Sequence, residues 1–209
     1  MVASQAVDDS GRAKLERDVQ VLCGMGNHGA AAEEAVRGYG PEVFGFLLAT
    51  LRNEQDATDV FSDFSVGLLS GLPKFDWRCS LRTWAYTIAH NASRRFRRDS
   101  ALRDRRRAGS SALDEVVDIV RTQTMSFLKT ETRSRLEKLR DALPPEDREL
   151  LVLRVDREMA WNDLARALHE GEEPLSDAVL ARESQRLRKR FQLIKDRLRE
   201  AARREGLES

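Results

Sequence analysis

Three carboxylates recur at helical spacing shortly after Asn53. Asp56, Asp59 and Asp63 are separated by three and four residues, so a helix would place them on one face. Carboxylates grouped in this way can serve general acid–base chemistry or hold a metal ion. The neighbouring sequence supplies no histidine, no glycine-rich phosphate loop and no nucleophile with its base, which argues against catalysis. We therefore interpret the face as solvated surface or as a docking site for a basic partner.

Apart from these carboxylates, the sequence offers few side chains that could bind a metal ion or a cofactor. Cys23 and Cys79 lie far apart in the sequence and form no CxxC pair. Cys23 and His28 would be two zinc ligands without the second pair that a tetrahedral site requires. We expect no metal, no cofactor and no enzymatic activity. Two cysteines without a disulfide spacing fit a protein of the reducing cytoplasm.

The sequence gives no sign of a membrane partner or of export. The longest apolar stretch, residues 43–51, is far shorter than the about 20 residues that a membrane-spanning helix needs. The N-terminus, MVASQAVDDS, has neither the basic start nor the apolar core of a signal peptide. We therefore expect a cytoplasmic location and no membrane partner.

The formal net charge of +1 conceals four blocks of alternating sign. Residues 1–75 have a net charge of −5 and residues 108–179 a net charge of −6, whereas residues 76–107 carry +7 and residues 180–209 carry +5. Such asymmetry is typical of chains whose segments bind partners of opposite charge. The two positive blocks are therefore candidate nucleic-acid surfaces.

The first positive block interleaves arginines with aromatic residues. Unpaired bases can stack on exposed rings while the strand follows the positive charge, and stacking contributes about 1–3 kcal/mol per base. The alternative is that the rings belong to the core; we favour the core for Trp84 and exposure for Trp77, which lies in a polar stretch. The block predicts a surface for single-stranded nucleic acid.

The second positive block is a basic helix that follows a short helix and a turn. This order is typical of a helix-turn-helix, whose second helix enters the major groove and whose arginines hold phosphates or guanine edges. The alternative is a solvated charged face, which Glu183, Asp196 and Glu200 would support through intrahelical pairs.

Apolar residues recur at three- and four-residue spacing almost throughout, and no stretch alternates, which predicts an all-α protein. We expect two helical domains joined by a flexible linker, the second with the helix-turn-helix. Each proline is expected at a helix start or end, so Pro41 should open a new helix. Asn53 and Asp56 are candidate caps for the helix that carries the carboxylates. In the first part, helices are predicted over about residues 14–22, 30–37, 41–51, 54–70 and 82–98.

Residues 99–110, DSALRDRRRAGS, have few apolar groups and clustered like charges, which predicts the linker. An apolar stripe between residues 113 and 128 then predicts a helix. The run Pro144-Pro145-Glu146-Asp147 predicts a helix start, with its acids near the positive end of the helix dipole. The last helix is predicted to be long, with an inner stripe of Leu187, Phe191, Ile194 and Leu198.

Two runs of the sequence resemble one known family. YGPEVFGFLLATLRNEQDATDVFSDFSVGLLSGLPKFDWRCSLRTWAYTIAHNASRRFRRD is similar to the promoter-melting domain of bacterial extracytoplasmic-function sigma factors. LRDALPPEDRELLVLRVDREMAWNDLARAL is similar to the start of their C-terminal promoter-binding domain. The resemblance implies a promoter-melting and core-polymerase-binding domain over residues 12–100, a linker over 101–130 and a helix-turn-helix domain over 131–206.

The resemblance implies a sigma factor that binds core RNA polymerase, directs recognition of the −10 and −35 promoter elements and helps to open DNA. The implied contacts fall into three groups: Asp56, Asp59 and Asp63 for the coiled coil of the largest polymerase subunit; Phe75, Trp77, Arg78, Ser80, Arg82, Asn91, Arg94, Arg95 and Arg98 for the −10 element, partly as single strand; and Arg186, Arg188, Lys189, Arg190, Gln192 and Lys195 for the −35 duplex.

Three departures from the family pattern bear on these expectations. Thr58 stands where the family often has Glu, which weakens the acidic contact. The connection over residues 169–176 is longer than the usual tight turn. Glu158 and Ala160 replace a small turn residue and a hydroxyl cap before the short helix.

Thr58 suggests control by phosphorylation. A phosphate there would add about −1.5 to −2 charges to the face expected to meet a basic partner. The alternative is an ordinary helix residue. A Ser/Thr kinase or an anti-sigma factor is therefore a candidate regulatory partner.

Two other functions compete with the sigma factor. A regulator that binds duplex DNA without polymerase would explain the last helix but would leave the acidic helix and the aromatic loop without a role. A helical adaptor whose charge blocks bind only proteins is the third hypothesis.

Overall fold

The computed structural model describes residues 9–98, 113–128, 139–170 and 175–204. Throughout these ranges the regular structure is helical, which confirms the all-α prediction. The chain divides into two compact units, residues 1–128 and residues 129–209. Two helical units are the arrangement that the sequence predicts.

Helix α2 is the centre of the first unit. It packs against the four other α-helices described in the unit, and its buried Phe44 meets Phe61 of the neighbouring helix with ring centroids 5.2 Å apart. The aromatic core also holds the fully buried Tyr39, Phe46 and Tyr86. The helices are α1 (Asp9–Gly24), α2 (His28–Leu51), α3 (Glu54–Gly71), a short 3-10 turn (Leu72–Lys74), α4 (Leu81–Arg98) and α5 (Asp114–Leu128).

Our expectation of a new helix at Pro41 is wrong, because Pro41 lies inside the continuous helix α2. An interior proline costs a helix about 3 kcal/mol, so tertiary packing must offset that loss. The helix is buried on both sides of Pro41, and two glycines next to it permit close contacts. A Cβ at Gly38 would collide with Leu15 of α1, and one at Gly40 would come within 3.0 Å of Val120 of α5. Packing against two helices keeps α2 continuous.

The predicted cap of α3 is present. The Asn53 side chain accepts a hydrogen bond from the Asp56 backbone N–H at 2.9 Å, while Asp56 itself lies in the first turn. Arg52 ends α2 in the left-handed region with φ 60°. One residue thus ends α2 and the next caps α3, and the two helices pack against each other.

Helix α5 lies within the stretch that we assigned to the linker. Val116, Val117 and Val120 are buried, and α5 packs against α2. Residues 114–128 therefore belong to the first unit by their contacts. Residues 99–112, which include the charged stretch that predicted flexibility, lie outside the described residues.

The second unit contains α6 (Pro145–Leu151), a π-helical turn (Val152–Asp156), α7 (Trp161–Ala167) and α8 (Asp177–Arg204). The proline pair starts α6 as predicted. Of the predicted inner stripe of α8, Leu187 and Ile194 are buried, whereas Phe191 and Leu198 are half-buried. Just before α6, residues 139–141 are helical, and Leu139 and Leu143 are buried.

The turn before α7 has an unfavourable backbone conformation and lacks a side-chain cap, as Glu158 and Ala160 predicted. Glu158 has φ 53°, a left-handed conformation that favours glycine, and the Ala160 cap makes no side-chain hydrogen bond. The connection from α7 to α8 spans residues 168–176, of which 171–174 are not described.

Candidate functional site

Helix α3 presents the three predicted carboxylates on one side. Asp56, Asp59 and Asp63 are each partly exposed, and the helix contains no lysine or arginine. Gln55 donates a hydrogen bond to Asp59 Oδ1 at 3.0 Å. The Thr58 hydroxyl donates to the Glu54 backbone carbonyl at 2.8 Å and is half-buried beside the same carboxylates. The face is therefore negative along about two turns.

Within the described part of the chain, no group of three or more His, Cys, Asp or Glu side chains could hold a metal ion. Among the described helices, none combines the length and the apolar character needed to cross a bilayer.

Three aromatic rings pack together where the loop after the 3-10 turn meets α4. Phe75 stacks on Trp84 with centroids 4.5 Å apart and planes 16° apart, and Trp77 lies against Phe75 at 4.7 Å. All three rings are half-buried rather than enclosed. We call Phe75, Trp77 and Trp84 the aromatic stack. Trp77 is less exposed than we expected, and Trp84 less enclosed, because each covers one side of the stack.

The loop that carries the stack has a defined backbone. Trp77 has φ 59°, in the left-handed region that non-glycine residues rarely adopt. The exposed side chains of Asp76 and Arg78 form an ion pair at 2.9 Å. An exposed pair of this kind contributes little to stability. Arg78 therefore remains accessible to a more strongly charged partner.

One face of α4 continues from the aromatic stack. Asn91, Arg95 and Arg98 are exposed, and Arg94 is half-buried next to them. Trp84 precedes Asn91 by seven residues, which is two helical turns, so the ring and the exposed residues share a face. The structure thus brings together the aromatic and basic residues that the sequence singled out.

Ser80 and Arg82 lie at the same junction, but their side chains are engaged within the protein. The Ser80 hydroxyl accepts from the Thr83 backbone N–H at 3.0 Å and so caps α4. The Arg82 guanidinium donates to both carboxylate oxygens of Glu42, at 2.8 and 2.9 Å. Burial alone would lower the pKa of Arg82, but the hydrogen bonds and the charge of Glu42 raise it above its usual value.

Glu16 of α1 is a residue that the sequence analysis missed. Its carboxylate accepts from the backbone N–H groups of Leu81 at 2.8 Å and Arg82 at 3.2 Å. It also accepts from the Tyr39 hydroxyl at 3.0 Å. Burial and then the charge of Glu16 raise the pKa of Tyr39, so its phenol stays protonated. The contacts join residues up to 66 positions apart, which local spacing cannot indicate.

The predicted duplex-reading residues of α8 fall into two environments. Lys189 is exposed, and the exposed Arg186 pairs with Glu183 at 2.6 Å. Arg188 lies over the Trp161 ring at 5.6 Å, and Lys195 lies over the Phe191 ring at 5.5 Å. Gln192 donates to Asp196 at 3.1 Å.

Arg190 is different, because it contacts a buried carboxylate. Its Nε donates to Asp147 Oδ1 at 2.6 Å, and Arg197 Nη1 donates to Asp147 Oδ2 at 2.8 Å. The Asp147 side chain is only 4% exposed. We predicted Asp147 only as an acid near a helix dipole; in the structure it also fixes one side of α8 against α6.

Known proteins resemble the chain in the region that holds the aromatic stack. Residues 35–107 match the family described as sigma-70 region 2. The RNA polymerase sigma factor YlaC of Bacillus subtilis is 30% identical over 144 residues, which cover 68% of this chain and 81% of that protein. The match therefore extends well beyond the region 2 segment.

The Asp147 contacts lead to a prediction about stability. Asp147→Ala leaves Arg190 and Arg197 without their shared carboxylate, and we expect it to lower the free energy of unfolding by about 1.5–3 kcal/mol. Urea denaturation followed by circular dichroism measures the loss. Glu146→Ala, which removes an exposed acid from the same turn, is the matched control. Equal values for the two variants would contradict a structural role for the Asp147 pair.

Proposed function

The chain belongs to the extracytoplasmic-function sigma factors of RNA polymerase, and from this premise we infer which of its surfaces serves which part of promoter recognition. Its function is to bind the core enzyme and direct it to promoters. The observation that carries the division is the aromatic stack, which adjoins an exposed polar and basic face inside the segment that matches sigma-70 region 2.

We propose that the first unit receives the −10 element after it opens. Phe75 and Trp77 offer partly exposed rings on which an unstacked base can pack, and Arg78 is next to them. The exposed Asn91, Arg95 and Arg98 then follow the strand, with Arg94 beside them. Ser80 and Arg82 contribute by holding the start of α4, since their side chains are bonded to Thr83 and Glu42.

We propose that α3 is the docking face for the coiled coil of the largest polymerase subunit. Asp56, Asp59 and Asp63 are partly exposed on a helix without basic residues, and such a face attracts a basic partner. Charge of one sign also disfavours contact between this face and DNA. The acidic and basic surfaces of the first unit thus have different partners.

We propose that α8 reads the −35 element as duplex. The short helix α7 and the long basic helix α8 have the order of a helix-turn-helix. Arg186, Arg188, Lys189, Gln192 and Lys195 remain the candidate contacts. Arg190 acts at least partly by orienting the helix, because its guanidinium bonds Asp147.

We place the work of the protein in the cytoplasm, where core polymerase and promoter DNA meet, and we propose no catalytic role. The direct test is run-off transcription with core polymerase, followed by sequencing of the transcript starts. Promoter-specific starts that require this chain support the proposal. Tight duplex binding without polymerase would favour a self-sufficient regulator. If neither of these results is obtained, the adaptor hypothesis is favoured.

We also propose that phosphorylation of Thr58 by a Ser/Thr kinase strengthens polymerase docking. The residue lies on α3 between Asp56 and Asp59, and it is half-buried rather than enclosed. A phosphate would add about −1.5 to −2 charges to the face. Control by an anti-sigma factor is the alternative, which predicts no effect of charge at Thr58.

Reversal of charge on α3 should weaken polymerase binding. We expect Asp59→Lys to lower the affinity for core polymerase by about tenfold or more, because it places a like charge against a basic partner. Binding is measured by fluorescence anisotropy of the labelled chain. Glu33→Lys, an exposed reversal on α2, is the control. An affinity equal to that of the wild type would refute the docking assignment.

Charge at Thr58 should have the opposite effect. We expect Thr58→Glu to bind core polymerase about two- to fivefold more tightly than Thr58→Ala, the gain of an exposed ion pair. The same anisotropy assay compares the two variants. Similar affinities would contradict control by phosphorylation at this position.

Loss of Trp77 and Arg78 should reduce promoter opening more than it reduces docking on the duplex promoter. We expect the double variant Trp77→Ala and Arg78→Ala to open a duplex promoter about tenfold less, since it removes one stacking platform and one cation. Permanganate footprinting measures the opened bases. A template that is already melted over the −10 element should restore initiation. If the melted template gives no rescue, the loop has another role.

A further inference from the structure

The first turn of α4 depends on an acid from another helix. The backbone N–H groups of Leu81, Arg82 and Thr83 have no acceptor within α4, as at every helix start. Glu16 of α1 accepts from two of them, at 2.8 and 3.2 Å. Ser80 accepts from the third, at 3.0 Å. Most of the capping of α4 therefore comes from a helix that carries none of the proposed DNA or polymerase contacts.

That first turn sets the position of the aromatic stack. Trp84 lies three residues beyond Leu81, and its ring stacks on Phe75 with planes 16° apart. The Trp84 backbone N–H also donates to the Ser80 carbonyl at 3.0 Å, which is the first intrahelical bond of α4. If the turn frays, Trp84 moves, and the surface that supports Phe75 and Trp77 moves with it.

We propose that Glu16 is a positioning residue for promoter opening. It holds the first turn of α4, and through Trp84 it holds the aromatic stack in the geometry that receives an unstacked base. The inference rests on the proposed function of the stack. Glu16 makes no part of either proposed DNA surface, so its influence on DNA passes only through α4.

The bond to Tyr39 separates this role from a general contribution to folding. Tyr39 donates to Glu16 Oε1 at 3.0 Å, and removing that hydroxyl leaves both bonds from Glu16 to α4 available. A variant at Tyr39 therefore disturbs the same half-buried carboxylate without uncapping the helix. Asp18, an exposed acid on α1, serves as a second control.

The experiment compares Glu16→Gln, Tyr39→Phe and Asp18→Asn in the full chain with core polymerase. Each variant is tested on a duplex promoter obtained from the transcript starts and on the same promoter melted over the −10 element. We expect Glu16→Gln to open the duplex about tenfold less, the effect of losing a hydrogen bond to a charged group. On the melted template it should initiate like the wild type. Both control variants should resemble the wild type on both templates.

Three results would overturn the proposal: wild-type opening by Glu16→Gln, an equal loss on both templates, or a loss in Tyr39→Phe as large as that in Glu16→Gln. If Glu16→Gln does not fold, Glu16→Asp keeps the charge but shortens the reach to α4, and the same outcomes apply to it. Failure of the proposed function has a different signature, because the wild-type chain itself would then not initiate from the duplex promoter.

Discussion

The candidate surface of the first unit depends on two carboxylates that hold the start of α4, the half-buried Glu16 of α1 and the buried Glu42 of α2. Glu16 accepts from the helix backbone, and Glu42 holds the Arg82 guanidinium through two hydrogen bonds. Buried charges cost several kcal/mol unless they are paired and hydrogen-bonded, so few arrangements of the three helices satisfy them. The apolar core brings α1, α2 and α4 together, and the carboxylates fix how α4 is rotated against the other two. The side of α4 that faces solvent follows from that rotation.

The second unit uses a related arrangement. Asp147 in the first turn of α6 is buried and accepts from Arg190 and Arg197 of α8, which lie 43 and 50 residues later. In each unit, one arginine that the resemblance assigns to DNA is paired with a buried acid, Arg82 in the first and Arg190 in the second. Basic residues in such a protein therefore divide into those that build the scaffold and those that face the partner.

Local sequence patterns predict much of the fold. Periodicity predicts the all-α class, Asn53 predicts the start of α3, and the proline pair predicts the start of α6. The resemblance to sigma factors is confirmed by the matches to sigma-70 region 2 and to a Bacillus sigma factor. These successes share one cause: the signals lie within a few residues of the elements that they specify, or within runs long enough to compare.

The remaining features depend on contacts between distant residues. Pro41 lies inside a helix because α1 and α5 pack closely beside it, and α5 joins the first unit although it follows a charged stretch. The roles of Glu16, Glu42 and Asp147 require partners 40 or more residues away. Helical spacing rules describe neighbours three or four positions apart, so they assign such acids only to exposed faces.

The left-handed backbone of Trp77 has a consequence for the thermodynamics of binding. A non-glycine residue at φ 59° is strained, and its ring contact with Phe75 offsets part of that strain before any ligand arrives. In the complex proposed above, the loop would therefore lose little conformational freedom when a base packs on it, and this smaller entropic cost would appear as higher affinity. A more flexible loop with the same side chains would bind the same base more weakly, because it would have to become ordered at that moment.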